Sequence, residues 1–220
     1  MKVLAIIPSR KGSKRIPKKN IKHFLGKPMI EWPIRALKKL QIISDIYIST
    51  DCKDAENIAK SLSCNVHKRD KTLCGDHVTS IEVIESFARD INYQFDFLVM
   101  VYPTTPKLDT EKLLFALEEL SNSEEHHVAL SIAKFCHPVE RSFKLISGEI
   151  IFNKNFKNTR TQDIEPTYHD AANFYVFKKT FFSREMELFS KSTLAIEISR
   201  LNAIDIDNKE DWASAEKLAK

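Results

Sequence analysis

KVLAIIPSRKGSKRIPKKN, from Lys2 to Asn20, joins a short apolar run to a dense group of cations. Val3 to Ile7 has the apolar, β-branched character of a buried strand and stops at Pro8. Arg10, Lys11, Lys14, Arg15, Lys18, Lys19 and Lys22 then crowd one loop, and no acidic residue precedes Glu31. A buried strand feeding such a loop delivers cations and free backbone N–H groups to the carboxyl end of a sheet. Open α/β folds bind ligands there, and the chemistry suits a polyphosphate. A Lys/Arg run also fits a nuclear address, a nucleic-acid patch or plain solvated surface. Three features favour the polyphosphate: the run follows a strand directly, it contains Gly12 and Ser13, and the chain's net charge is only +4. Neither GxxxxGK[ST] nor GxGxxG occurs in the loop.

The 220 residues suffice for a single sizeable core with a small appendage. Hydrophobic residues at 43% and charged residues at 29% are ordinary for a soluble globular protein. No apolar run reaches the roughly 18–20 residues that cross a bilayer, and the amino terminus does not resemble a signal peptide. No membrane partner is expected. Cys52, Cys64, Cys74 and Cys136 have no CxxC or zinc-ligand spacing, which predicts free thiols and a reducing, cytoplasmic location. A pI near 8.7 suits a small anionic substrate and is too mild to argue for nucleic acid.

Outward from the loop, strand and helix patterns alternate. Strands are expected at Val3–Ile7, Asp45–Ser49, Val66–His67, Phe95–Val101, Val128–Ala133, Asn173–Phe177 and Ala203–Asp207. Helices are expected at Ile30–Leu40, Asp54–Leu62, Thr79–Arg89, Asp109–Leu120 and Lys209–Lys220. This βαβ rhythm predicts an α/β fold with a mostly parallel sheet covered on both faces. The stretch from His137 to Tyr168 interrupts it, with two short strands about Ser147-Gly148 and a polar segment from Asn153 to Glu165. It reads as an excursion from one domain spanning residues 1–220.

Polyphosphate binding commonly brings a divalent cation, which takes carboxylate oxygens. Asp205 and Asp207 are alternate residues, so on a strand both face one side. A solvated strand end is the other reading of the pair. Asp51 is a weaker candidate and also reads as a turn or cap residue.

The motifs now resemble those of one family. SRKGSKRIPKKN is similar to the R-x-G-S-K-x-x-P-x-K-N signature of cytidylyltransferases that activate sialic-acid-type sugars. Ile46–Asp51 (IYISTD), Tyr102–Leu108 (YPTTPKL) and Ala203–Trp212 (AIDIDNKEDW) resemble further motifs of that family in the same order. Tyr168–Tyr175 (YHDAANFY) and Arg160–Asp163 (RTQD) resemble segments of its pseudaminic acid subgroup, as does Tyr102 in place of Gln. Lys11 stands where the family commonly has Gly or Gln.

The resemblance implies a Rossmann-like nucleotide-diphospho-sugar transferase fold and transfer of CMP from CTP to a nine-carbon nonulosonic acid, releasing pyrophosphate. It implies Mg²⁺ or another divalent cation on Asp205 and Asp207. Arg10, Lys14 and Lys19 join these two aspartates as catalytic candidates. Arg10, Gly12, Ser13, Lys14, Lys19, Asn20, Arg69, Thr79 and Ser80 are nucleotide-binding candidates, Thr79 reading equally as a helix cap. Tyr102, Thr104, Gln162, His169, Asp170, Asn173 and Tyr175 are sugar-binding candidates. His169 reads either as a helper in deprotonating the attacking hydroxyl or as a structural histidine. The excursion resembles the family's dimerisation segment, so a homodimer is expected, serving cell-surface glycan synthesis. N-acetylneuraminic or legionaminic acid as substrate, and a non-catalytic nucleotide-binding protein, are the competing readings.

Overall fold

The computed structural model describes residues 1–152, 159–183 and 187–219. The strands are β1 (Val3–Pro8), β2 (His23–Phe24), β3 (Lys27–Pro28), β4 (Ile43–Thr50), β5 (Asn65–Lys68), β6 (Phe97–Met100), β7 (Val128–Lys134), β8 (Phe143–Ile146), β9 (Glu149–Phe152), β10 (Tyr168–Lys178) and β11 (Thr193–Glu197). The helices are α1 (Glu31–Lys38), α2 (Lys53–Ser61), α3 (Ser80–Asp90), α4 (Thr110–Asn122), α5 (Lys179–Ser183) and α6 (Lys209–Leu218). Seven strands form the main sheet in the order β11-β7-β10-β6-β1-β4-β5. β6, β1, β4 and β5 run parallel, as does β11 beside β7, while β10 is antiparallel to both its neighbours.

Burial on both faces explains the apolar run in β1. Val3, Ala5 and Ile7 belong to the core that includes Ile34 and Leu37 of α1, Ala59 of α2 and Leu113 and Leu117 of α4. Leu4 and Ile6 belong to the opposite core, with Ile84 and Phe87 of α3 and Phe181 of α5. Period-2 alternation therefore divides one strand between two cores. From β1 the chain goes to β4 and β5 on one side, then returns through α3 to β6 on the other. The switch in direction falls between β1 and β6, where open α/β sheets leave a crevice.

A third cluster lies under the basic loop: Ile16, Phe24, Met29, Ile206, Trp212 and Ala215. It pins the loop to the segment before α6. Ala203–Asp207, expected as a strand, has no strand pairing. β11 takes the edge beside β7 instead, and the β2–β3 hairpin is a further element the periodicity did not reveal. The turn at Ser147-Gly148 is as expected, both residues having positive φ (52° and 86°) between β8 and β9. Residues 153–158 of the polar segment lie outside the described residues.

Candidate active site

A cleft of about 420 Å³ opens where β1 and β6 end, between the basic loop, the α3 amino terminus and Tyr102–Thr104. The loop is tied down from behind. Ser9 N–H donates to Ser49 O at 2.8 Å. Lys11 N–H donates to Asp51 Oδ1 at 2.8 Å, and Asn20 Nδ2 donates to Arg10 O at 3.1 Å. Asn20 is buried and acts through the backbone, so Arg10, Ser13 and Lys14 are presented on a braced loop. A Cβ placed on Gly12 would meet nothing within 4 Å. Protein packing alone therefore does not require glycine there.

The cleft has a cationic end. Arg10 Nη1 donates to Asp76 Oδ1 at 2.7 Å and to Gly75 O at 3.1 Å. Lys14 pairs with the other oxygen of the same carboxylate. These contacts, the lysine's first, hold the Asp76 carboxyl below the usual range. Arg15 Nη2 lies 2.8 Å from Asp207 Oδ1, and Lys19 Nζ lies 3.4 Å from the same oxygen. Lys19 also donates to Ile206 O at 2.5 Å, which couples loop and aspartate segment directly. Asp76 was absent from the sequence expectations. Its signal would have been a lone acid placed before the Thr79 cap of α3.

Ile206 is fully buried. On either side of it Asp205 is exposed and Asp207 partly exposed, in a segment without strand pairing. Asp205 is exposed as a residue, yet surrounding atoms crowd its carboxyl and push its pKa up, with the Asp207 charge adding to the rise. Among the described residues no three acidic, histidine or cysteine side chains converge. A mutually repelling carboxylate pair beside a polyphosphate-type cleft does fit Mg²⁺, which takes one or two carboxylates and completes its shell with phosphates and water. Asp207 lines the cleft and Asp205 does not.

The other end is buried and mostly neutral. Arg69 is 7% exposed; its Nε donates to Ser49 Oγ at 3.3 Å and its Nη2 to Ser49 O at 3.0 Å. Burial lowers its pKa. Val78, Val83, Pro103 and the Tyr102 ring supply apolar walls. Thr79 caps α3: its Oγ1 accepts from Glu82 N at 3.2 Å while donating to Glu82 Oε2 at 2.7 Å. The hydroxyl is thus engaged in the capping box, the cap reading of Thr79, while the residue also lines the cleft. Ser80 Oγ lies 3.0 Å from Tyr102 Oη.

The expected sugar residues divide. Tyr102 and Thr104 line the cleft. Tyr175 lies buried behind Tyr102, ring centroids 5.9 Å apart and perpendicular. Its hydroxyl donates to Asp170 Oδ2 at 2.6 Å. Burial first, then Tyr102 and Asp170, push its pKa strongly up. A bulge brings Asp170 and Tyr175 together: Asp170 pairs with Ile132, but Tyr175 already pairs with Leu130. Asn173 sits inside that bulge, with its Oδ1 accepting from Asp109 N and its Nδ2 donating to Lys107 O and Asn202 O. It braces the loop before α4. Gln162 lines a separate cavity of about 430 Å³ with Phe135 and Thr167. His169 and Asp170 line a third, of about 460 Å³, with Phe189 and Thr193. His169 Nδ1 is 2.9 Å from Asp170 O. This chain thus does not bring its own Gln162 or His169 to the cleft.

The sequence profile described as cytidylyltransferase matches residues 4–220. This chain belongs to the cytidylyltransferase family. A Campylobacter jejuni pseudaminic acid cytidylyltransferase is 30% identical over 226 aligned positions, covering 100% of this cytidylyltransferase and 97% of the relative. A Helicobacter pylori protein named for that activity and for a UDP-sugar hydrolase is 31% identical over 208 positions. The match covers 94% of this cytidylyltransferase but 40% of the longer relative. A CMP:2-keto-3-deoxy-manno-octonic acid synthetase solved with CTP shares the fold, with a TM-score of 0.72 at 13% identity, 99% of this chain and 98% of that one being covered.

Proposed function

We propose that this cytidylyltransferase transfers CMP from CTP to pseudaminic acid, releasing pyrophosphate. The observation that carries the proposal is the two-ended cleft, in a chain alignable along its whole length with a pseudaminic acid cytidylyltransferase. The triphosphate takes the cationic end, where its oxygens replace the Asp76 carboxylate on Arg10 and Lys14. Guanidinium and ammonium contacts of this kind are charge-assisted and strengthen as negative charge moves to the leaving pyrophosphate. The cytosine takes the apolar end beside Arg69 and Ser80.

The anomeric hydroxyl of the sugar attacks the α-phosphorus in line. A new P–O bond forms, the bond to the β-phosphate bridging oxygen breaks, and the hydroxyl proton leaves for solvent. Positioning and charge neutralisation suffice, without a covalent enzyme intermediate. Asp205 and Asp207 would hold a divalent cation, which supplies phosphate neutralisation and orientation of the α-phosphoryl group. Lys19 and Arg15 steady Asp207 for that task.

The excursion gives the proposed homodimer its contact surface. Phe143, Leu145, Ile146, Ile150 and Ile151 are each more than half exposed on the β8–β9 hairpin, an apolar patch unusual on a monomer. A second copy covering it is also the route by which Gln162 or His169 reaches a sugar bound in the partner's cleft. A reducing cytoplasm suits the four free cysteines and supplies CTP. Among the described residues no helix is long and apolar enough to cross a membrane.

The test is pyrophosphate release from CTP and Mg²⁺ with pseudaminic, N-acetylneuraminic and legionaminic acids in parallel, on protein sized by sedimentation. Release with pseudaminic acid alone, from a dimer, is expected. Release with another acid keeps the transferase and removes the sugar; binding of CTP without release from any favours a non-catalytic protein.

A further inference from the structure

A second polar chain runs from the surface to Arg69, and nothing in the proposed chemistry uses it. Asp90, the last residue of α3, lies 2.8 Å from His67 Nε2. His67 Nδ1 lies 3.0 Å from Ser49 Oγ. Ser49 in turn holds two nitrogens of Arg69, through its hydroxyl and its carbonyl. Phe87 packs edge-on against the His67 ring at 5.2 Å. The order Asp-His-Ser imitates a hydrolase triad. Ser49 is 0% exposed, however, and its oxygen faces a guanidinium, so no substrate reaches it.

The direction of every link follows from the donor inventory. A carboxylate only accepts, so Nε2 carries a hydrogen, and in the neutral imidazole Nδ1 then accepts. The Ser49 O–H therefore donates to Nδ1, and its lone pairs are left for the Arg69 Nε–H. Arg69 needs such an anchor. It is a buried cation whose hydrogen bonds among the described residues run from Nε and Nη2 to Ser49, none from Nη1 and none to a carboxylate.

We propose that Asp90, His67 and Ser49 are positioning residues that aim the free Nη1 of Arg69 into the cleft, at the carbonyl oxygen of the pyrimidine ring. The inference rests on the cleft being a CTP site. It predicts that the chain governs affinity for the base and leaves affinity for phosphate alone untouched.

The experiment compares dissociation constants for CTP and for pyrophosphate by calorimetry, with melting temperatures followed alongside. His67→Leu is expected to weaken CTP about five- to tenfold, the worth of one hydrogen bond, and to leave pyrophosphate unchanged. The loss appears in KM for CTP rather than in kcat. His67→Asn, whose Oδ1 replaces Nδ1 as acceptor, regains most of it. Ser49→Ala, which deletes a single oxygen, gives the same split and serves if the leucine variant does not fold. Parallel loss of both ligands, or an unchanged CTP-to-pyrophosphate ratio in a folded variant, overturns the positioning function. Wild-type protein that binds pyrophosphate but no CTP overturns the active-site reading, and this proposal with it.

Discussion

The two ends of the cleft are built on opposite principles. At the cationic end, the Lys14 and Arg15 side chains are 80% and 68% exposed, and partly exposed carboxylates partner the cations. Such pairs contribute little net energy and are readily exchanged for a better anion. At the other end, Arg69 and Tyr175 are buried and Tyr102 half-buried, each hydrogen-bonded to a neighbouring side chain (Ser49, Asp170 and Ser80), and buried bonds of this kind cost more to break because water cannot replace them. The loose end is suited to supplying attraction and charge neutralisation. The rigid end is suited to supplying selectivity, because it cannot reshape around the wrong base.

Variants at the loose end break this division most severely if it is wrong. Arg10→Ala is expected to lower kcat/KM by about 10²–10³, the loss typical of a donor to developing charge. Pyrophosphate release in steady state measures it, and a loss under fivefold would mean that the cations are interchangeable. Asp205→Asn is expected to cost about 10²-fold in activity while melting no lower than the parent. The sign follows from its raised pKa. The folded state holds the proton more tightly than the unfolded one, so stability falls as pH rises from the ordinary aspartate range through the raised pKa. Above it the penalty is constant, and asparagine removes it. A lower melting temperature for the variant at neutral pH would show that the pair is structural.

Asp76→Asn sharpens the contrast in the other direction. The carboxylate competes with phosphate for Arg10 and Lys14, so its removal should tighten CTP binding about threefold at low salt, the gain shrinking as salt screens the exposed charges. Calorimetry across a salt series decides it; weaker binding would make Asp76 a ligand contact.

The cationic end is legible because charge is a property of composition: Arg10, Ser13, Lys14 and Lys19 stand together in sequence and line one cleft. The sheet was legible because burial on both faces leaves continuous apolar runs in β1 and β6. The strand expected at Ala203–Asp207 does not form; the buried Ile206 instead anchors the segment between the two aspartates. The base end was much less visible. Ser49, His67 and Asp90 lie on β4, β5 and α3, and only the parallel pairing of Ser49 with His67 brings two of them side by side. The bracing by Asn173 is not legible in sequence, because a polar residue in a motif gives no sign that a bulge uses it to satisfy nearby backbone. β11 escaped notice because Thr193–Glu197 carries a single fully apolar-facing position, Ile196.

Thr79 offers the smallest effect and the cleanest separation of folding from binding. The residue lines the cleft, and its hydroxyl is engaged on both sides by Glu82. Thr79→Val keeps the shape and removes the cap, so about 1 kcal/mol of stability should go, with CTP affinity changed less than twofold. Denaturant unfolding reads the first and calorimetry the second. The opposite result, stability kept and CTP weakened tenfold, would mean that the hydroxyl leaves its capping box when the nucleotide arrives. The base end would then be adaptable, and selectivity would have to come from Arg69 and Ser80 alone.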